Sequence, residues 1–310
     1  VTPASAPSPP PSPTPSPLSS PPSAPPASLP VRALTPADLT ACLDLAAEHG
    51  WTREEHKWRL LLTAGQGLGI DAPDRPGTLL ATLVLTSYGE THRCIGMVLV
   101  AARFARRGVG RHLMRHALDS CGAAAVFLTA TANGRPLYEQ LGFAPVGTVT
   151  TLRGTFTGAA PAPAPAGTVL RAATAADIPA ILAYDRPVFG ADRTELLTRL
   201  PAFADQILVA HAPGGRLTGY AAAWPNETTT VIGPALADDQ PTARALVASL
   251  AAGAPMPVRF DVDPRHPGLA DWLRANGLTG DYVCTLMVRG APDLPGDIDR
   301  RFAPLSVALG

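Results

Sequence analysis

Apolar residues recur along residues 31–153 with two alternating periods. The run Thr78-Leu-Leu-Ala-Thr-Leu-Val-Leu-Thr86 is β-branched and apolar, which predicts a strand over about 78–87. Similar runs predict strands at about 67–72, 94–101 and 124–130, with His92-Arg93 in the turn before 94–101. Between them the period lengthens. Val109, Leu113 and Ala117 form one stripe, predicting a helix over about 108–119. Helices are also predicted over about 36–49, after Thr52, and over about 135–141, where Pro136 suits the first turn and Gly142 the left-handed stop. Meandering strands followed by strand–helix–strand–helix make a mixed α/β pattern. A doubly wound nucleotide fold would alternate from the start.

Val31-Arg-Ala-Leu-Thr-Pro-Ala-Asp-Leu39 matches Leu170-Arg-Ala-Ala-Thr-Ala-Ala-Asp-Ile178. Each reads as a short strand, a Thr N-cap and a helix with an acid at its third position. An internal duplication is the economical explanation. Gly158-Ala-Ala-Pro-Ala-Pro-Ala-Pro-Ala-Gly167 separates the copies. Residues 1–30 hold 13 prolines, 8 serines and no charge, a composition that buries too little to order itself. The expected organisation is a disordered tail over 1–30, a domain over 31–153, a linker over 154–167 and a second domain over 168–310. The tail lacks the cationic start and apolar core of a signal peptide, and is read first as a spacer or translated upstream sequence, with a ligand for a proline-binding module as the alternative.

Charge excludes more than it suggests. Lys+Arg and Asp+Glu are both 25, so no basic footprint for nucleic acid exists at the level of the whole chain. Cys42, Cys94, Cys121 and Cys284 form no close pair, which points to a reducing, cytoplasmic setting. No apolar run is long enough to span a membrane. GxSxG, GxxxxGK[ST] and HExxH are absent. His112 and His116 are spaced for a metal, but they share the polar helix face with Arg111, Arg115 and Asp119, so no metal site is expected.

Two blocks carry chemistry. In the first, a strand runs into Arg106-Arg107-Gly108-Val109-Gly110-Arg111 at a helix start, where glycines, free N–H groups and arginines suit a pyrophosphate. The second is Phe127-Leu-Thr-Ala-Thr-Ala-Asn-Gly-Arg-Pro-Leu-Tyr-Glu-Gln-Leu-Gly-Phe143, which puts Tyr138 near the sheet's carboxyl edge. By itself, Tyr138 reads as a half-buried core tyrosine.

Together the blocks resemble the GCN5-related N-acetyltransferase (GNAT) family. Val100 to Gly110 answers V-x-P-x-x-R/Q-x-x-G-x-G/A, and Leu137 to Phe143 answers L-Y-x-x-x-G-F. Ala102 and Ala105 depart from the usual Pro and Arg/Gln, leaving Arg106 or Arg107 to substitute. The chain is also similar to a bacterial subgroup with two such domains in tandem, in Phe189-Gly-Ala-Asp-Arg193, Ile232-Gly-Pro234 and Leu286-Met-Val-Arg-Gly290. The fold this implies is two tandem α/β domains, each a mixed, mostly antiparallel sheet flanked by helices. The second domain is degenerate: Asp238 and Asp239 stand where phosphates would sit, and Leu273 stands opposite Tyr138.

The resemblance implies acetyl transfer from acetyl-CoA to a primary amine. It implies that Val98, Leu99, Val100, Arg106, Arg107, Gly108, Val109, Gly110, Arg111 and Asn133 bind acetyl-CoA. The thioester would lie by the strand Met97 to Val100, with Tyr138 facing the departing sulfur. Asp71, Glu90 and His92 are the candidate bases. The rival readings are a non-catalytic acyl-CoA-binding regulator and a scaffold acting through the proline-rich tail.

Overall fold

The computed structural model describes residues 29–158 and 162–310. Most of the proline-rich tail, and three residues of the Ala-Pro stretch, lie outside them. The first half runs β1 (Arg32–Leu34), α1 (Leu39–Glu48), α2 (Glu55–Ala64), β2 (Gln66–Asp71), β3 (Leu79–Tyr88), β4 (His92–Val100), α3 (Val109–Asp119), β5 (Ala125–Ala130), α4 (Arg135–Gln140) and β6 (Ala144–Gly154). His92 and Arg93 belong to β4 and not to a turn: they pair with Tyr88 and Ser87, so residues 89–91 alone make the reversal. Gly89, at a φ of 59°, lets the chain turn that tightly.

The second half repeats the plan with β7 (Val169–Ala172), α5 (Ile178–Phe189), α6 (Thr194–Leu197), α7 (Leu200–Phe203), β8 (Gln206–His211), β9 (Leu217–Pro225), β10 (Thr230–Ala237), α8 (Gln240–Ala252), β11 (Val258–Val262), α9 (Pro267–Ala275) and β12 (Thr279–Arg289). A last strand, β13 (Arg301–Ala303), follows. The matched starts fold alike. Thr35 with Asp38, and Thr174 with Asp177, form capping boxes. Arg32 reaches Asp38 at 2.7 Å and Arg171 reaches Asp177 at 2.6 Å. Thr35→Ala removes the first cap and is expected to cost about 1 kcal/mol. A shift in denaturation midpoint with an unchanged slope checks this.

The sheets expected for the two halves are joined into one of 13 strands, in the order β1-β2-β3-β4-β5-β12-β6-β11-β10-β9-β8-β7, with β13 on β10. The join is a reciprocal exchange. β12 of the second half lies against β5 of the first, and β6 of the first lies against β11 of the second. β6 and β12 then pair antiparallel at the centre. Each half thus completes the other's hydrogen-bond ladder.

The segment after β13 crosses back to the first half. Tyr88 donates its hydroxyl to the Leu309 carbonyl, and Arg193 donates to the Gly310 carbonyl at 3.3 Å. Arg193 is buried, ion-paired with Asp185, and stacked 3.9 Å from the Phe189 ring centre. The Phe189-Gly-Ala-Asp-Arg193 motif therefore anchors the end of the chain.

Candidate active site

The site starts where two parallel strands part. β4 and β5 pair from His92↔Ala125 to Ile95↔Leu128 and no further. Past that point β4 bends away. Met97 takes a φ of 54°, unusual for a residue with a side chain, and its carbonyl accepts from the buried Thr82 hydroxyl at 3.0 Å. The register on β3 is irregular between Thr82 and Val84. This is a β-bulge, a device that bends a strand and ends its pairing. One edge of residues 97–100 is left without a strand partner, so Val98, Leu99 and Val100 line an open fork. On β4, Met97 and Leu99 are buried and Val98 and Val100 half-buried. His49 bonds the Val100 carbonyl at 2.8 Å.

The loop beyond turns backbone amides outward. Arg106 has a φ of 60° and Gly108, the residue capping α3, a φ of 82°. The amides of Arg107, Gly108, Val109, Gly110 and Arg111 find no acceptor among the described residues. Such a row at a helix start, reinforced by the helix dipole, favours an anion. Arg106 and Arg107 are exposed beside it, and the Arg107 guanidinium rests 5.3 Å from the Phe104 ring centre. Arg111 is tied to Gln140 of α4. Val109 is buried and offers its amide alone.

Gly110 draws the parts together. A Cβ there would lie 3.3 Å from Leu137 of α4 and 3.4 Å from Val100 of β4. The cradle, the fork and α4 therefore meet at one point. Tyr138, on α4, is 7 % exposed, and its ring meets Phe143 edge-on at 6.1 Å. Its hydroxyl end fits against Gly134, where a Cβ would lie 3.3 Å from the oxygen. The hydroxyl donates to no described residue, and burial pushes its pKa up. Asn133 is exposed in the turn beside it.

None of the candidate bases stands on the open edge of β4, and Asp71 is on β2, two strands away. Asp71 is held by Arg32 at 2.8 Å. Glu90 lies in the β3–β4 turn. His92 starts β4, five residues before Met97, or about 16 Å along a strand; its pKa is lowered by burial and then by Arg93. His112 meets the Leu29 carbonyl at 2.9 Å. The bulge and its Thr82 partner have no signature in the sequence, because they depend on a hydroxyl 15 residues away.

Residues 37–143 match the model of the acetyltransferase (GNAT) family, and residues 181–303 match that of an acetyltransferase (GNAT) domain. The chain belongs to the GNAT family and carries two such domains in tandem. It is an N-acetyltransferase by kinship. The uncharacterized N-acetyltransferase YitH of Bacillus subtilis is 27% identical over 276 residues, which cover 88% of this chain and 95% of that one. A provisionally assigned acetyltransferase from Pyrococcus horikoshii superposes with a TM-score of 0.73 at 16% identity, over 91% of this chain and 96% of that one. A tandem GNAT protein from the clavulanic acid biosynthesis pathway gives 0.60 at 17% identity, over 86% and 100%. At these identities the two structural likenesses bear on fold.

The second GNAT domain has the same fork but has filled it. β10 and β11 pair only at Thr230↔Val258 and Val231↔Arg259, and β10 is irregular between Ile232 and Ala235. β13 occupies the side of β10 that β11 leaves open, pairing Ala303 with Ala235 and Arg301 with Leu236. Phe302 is fully buried there. The helix start is filled too. Asp239 caps α8, accepting from the Thr242 amide at 2.7 Å. Asp238 takes bonds from Arg216 at 2.6 Å and Tyr184 at 3.0 Å. Leu273 is fully buried on α9, and no phenol stands in its place.

Proposed function

We propose that the first GNAT domain, residues 31–153, transfers an acetyl group from acetyl-CoA to a primary amine, and that residues 168–310 form a domain without its own acetyl-CoA site. The observation that supports this reading is the row of unpartnered amides beside an open fork, with an unpartnered phenol at its mouth. Amides of residues 107–111, with Arg106 and Arg107, bind the pyrophosphate. The free edge of Val98, Leu99 and Val100 receives the thioester arm as an added strand would be received, and Asn133 flanks it. A strand N–H donates to the thioester oxygen as it gains charge. The neutral amine attacks the acetyl carbon, the C–S bond breaks, and the amine proton leaves through water, since no candidate base stands at the fork. Tyr138 donates a hydrogen bond to the departing sulfur. The four buried, unpaired cysteines suit a reducing, cytoplasmic setting.

One acetyl-CoA per chain is the expected stoichiometry by calorimetry, and two equal sites would overturn it. Consumption of acetyl-CoA across a panel of amines tests the transfer itself. Binding without consumption across the panel would favour the regulatory reading.

A further inference from the structure

Val100 turns its backbone toward the open side of β4. The Ala101 amide donates to the Leu80 carbonyl at 2.8 Å, so residue 101 faces β3. Neighbours in an antiparallel pair alternate, which points the Val100 N–H and carbonyl the other way, to the edge that β5 has left. His49 meets that carbonyl through Nε2 at 2.8 Å. A carbonyl only accepts, so this partner assigns the hydrogen to Nε2, and in the neutral ring Nδ1 keeps its lone pair. Nδ1 bonds to no described residue, and His49 is exposed.

The segment that carries the ring is fixed on both sides. His49 caps the C-terminal end of α1, with its amide 3.0 Å from the Ala46 carbonyl, and the Trp51 amide returns to the same carbonyl at 3.2 Å. Further along, the second domain holds the chain: Glu227 accepts from the Arg53 amide at 2.8 Å, and Asn226 donates to the Glu54 carboxylate at 2.9 Å. The charges on and around α1 are already matched. Arg53 pairs with Asp44 at 2.7 Å, and Glu48 has Arg103 at 3.6 Å and Arg75 at 3.9 Å. Arg103 also bonds Asp74 at 2.8 Å. No carboxylate therefore occupies the imidazole, and its second nitrogen is left to take a proton.

We propose that His49 is the general base of the acetyl transfer, taking the amine proton at Nδ1 through one water. This rests on the acetyl-transfer reading above. In that reading the thioester lies along Val98 to Val100, so an imidazole seated on the Val100 carbonyl stands beside it, at a separation that one bridging water spans. The bond leaves the Val100 N–H and the Val98 edge for the arm. The amine nitrogen gains the acetyl carbon, the C–S bond breaks with its electron pair on sulfur, and the amine proton passes through the water to Nδ1. The imidazolium so formed sits at the end of α1, where helix carbonyls favour a cation, and it releases its proton to solvent. The assignment also gives the second domain a task, since Asn226 and Glu227 hold the loop that follows His49.

The test uses the full chain with acetyl-CoA and three amine probes, butylamine, benzylamine and glycinamide. His49→Gln keeps a donor for the Val100 carbonyl but cannot accept a proton at neutral pH. It is expected to lower the single-turnover rate by roughly 10²-fold, the range of a general base, with acetyl-CoA affinity within about twofold. His49→Ala is expected to lose as much and to be restored in part by added imidazole, which an exposed position admits. A Gln variant as fast as wild type would reduce His49 to a holder of the strand edge. An Ala variant that binds acetyl-CoA more tightly at an unchanged rate would make the ring a competitor of the arm. Either result, or an Ala variant that imidazole leaves unrestored, would overturn the assignment while leaving acetyl transfer standing. Acetyl-CoA bound but unconsumed by wild type with all three probes would overturn the assignment as well, and failure to bind acetyl-CoA would overturn the transferase reading beneath it.

Discussion

Gly108→Asp is expected to raise the acetyl-CoA dissociation constant by more than 100-fold, with a loss of stability no larger than that of Gly108→Ala. The substitution gives the first domain what the second already has, a carboxylate at the cap of the helix that follows the fork. In the second domain Asp239 satisfies its own helix start. An Asp at 108 would compete for the amides meant for phosphate and add repulsion. Like charges about 4 Å apart cost about 4 kcal/mol at an effective dielectric constant near 20. Each 1.4 kcal/mol is tenfold, so 100-fold is a conservative floor. The fold should survive the change at a cost of about 1 kcal/mol in backbone strain. A Cβ at Gly108 meets nothing within 4 Å, and Asp is among the side chains best suited to its φ of 82°. Gly108→Ala is the control, carrying the backbone strain without the charge. Calorimetric titration reads both, and an Asp variant binding within threefold of wild type would place the phosphates elsewhere.

Tyr138→Phe should lower kcat by about tenfold to 10²-fold while leaving acetyl-CoA affinity within about twofold. The ring keeps its contacts with Phe143 and Gly134, so the pocket survives. The lost hydroxyl matters when charge develops on sulfur, and an interaction stronger in the transition state is read in kcat. Full proton transfer is disfavoured. An ordinary phenol has a pKa near 10 and a thiol near 8.5, which makes transfer uphill by about 2 kcal/mol. Burial raises the Tyr138 pKa further, widening that gap. Donation of a hydrogen bond is therefore the role the proposed mechanism gives Tyr138, with an effect expected at the low end of the range for acid catalysis. The same shift fixes a pH expectation. The active form is the protonated phenol, which persists as pH rises because its pKa is raised, so kcat should show no loss from Tyr138 up to pH ~10. Equal single-turnover rates for wild type and Tyr138→Phe would remove the residue from the chemistry.

Much of this site was written in local sequence. The continuous apolar run of residues 78–86 and the helical period of 109–117 place β3 and α3 to within a residue or two, because the strand is buried on both faces and the helix along one stripe. Thr35 and Thr174 mark helix starts because capping is settled within three residues. Gly108 and Tyr138 were legible for the same reason, since a loop conformation and a short helix depend on nearby residues. The error at His92 and Arg93 has the opposite cause. Whether a polar pair is strand or turn depends on its partner strand, and both residues pair across the hairpin.

What tertiary structure decided involves residues distant in the chain. The bulge at Met97 needs Thr82. The strand exchange needs β6 beside β11 and β5 beside β12, choices that local propensity leaves open. The cap that Asp239 makes on α8 is legible from its neighbours, but the filling of the second fork by β13 requires Ala303 to meet Ala235. Arg301 is an ordinary arginine until folding sets it in a cavity wall beside Asp263 and Arg265. Periodicity and capping act over a few residues and are fixed by the sequence read locally. Register and strand partners are sums over the packed chain, and only the tertiary fold determines them.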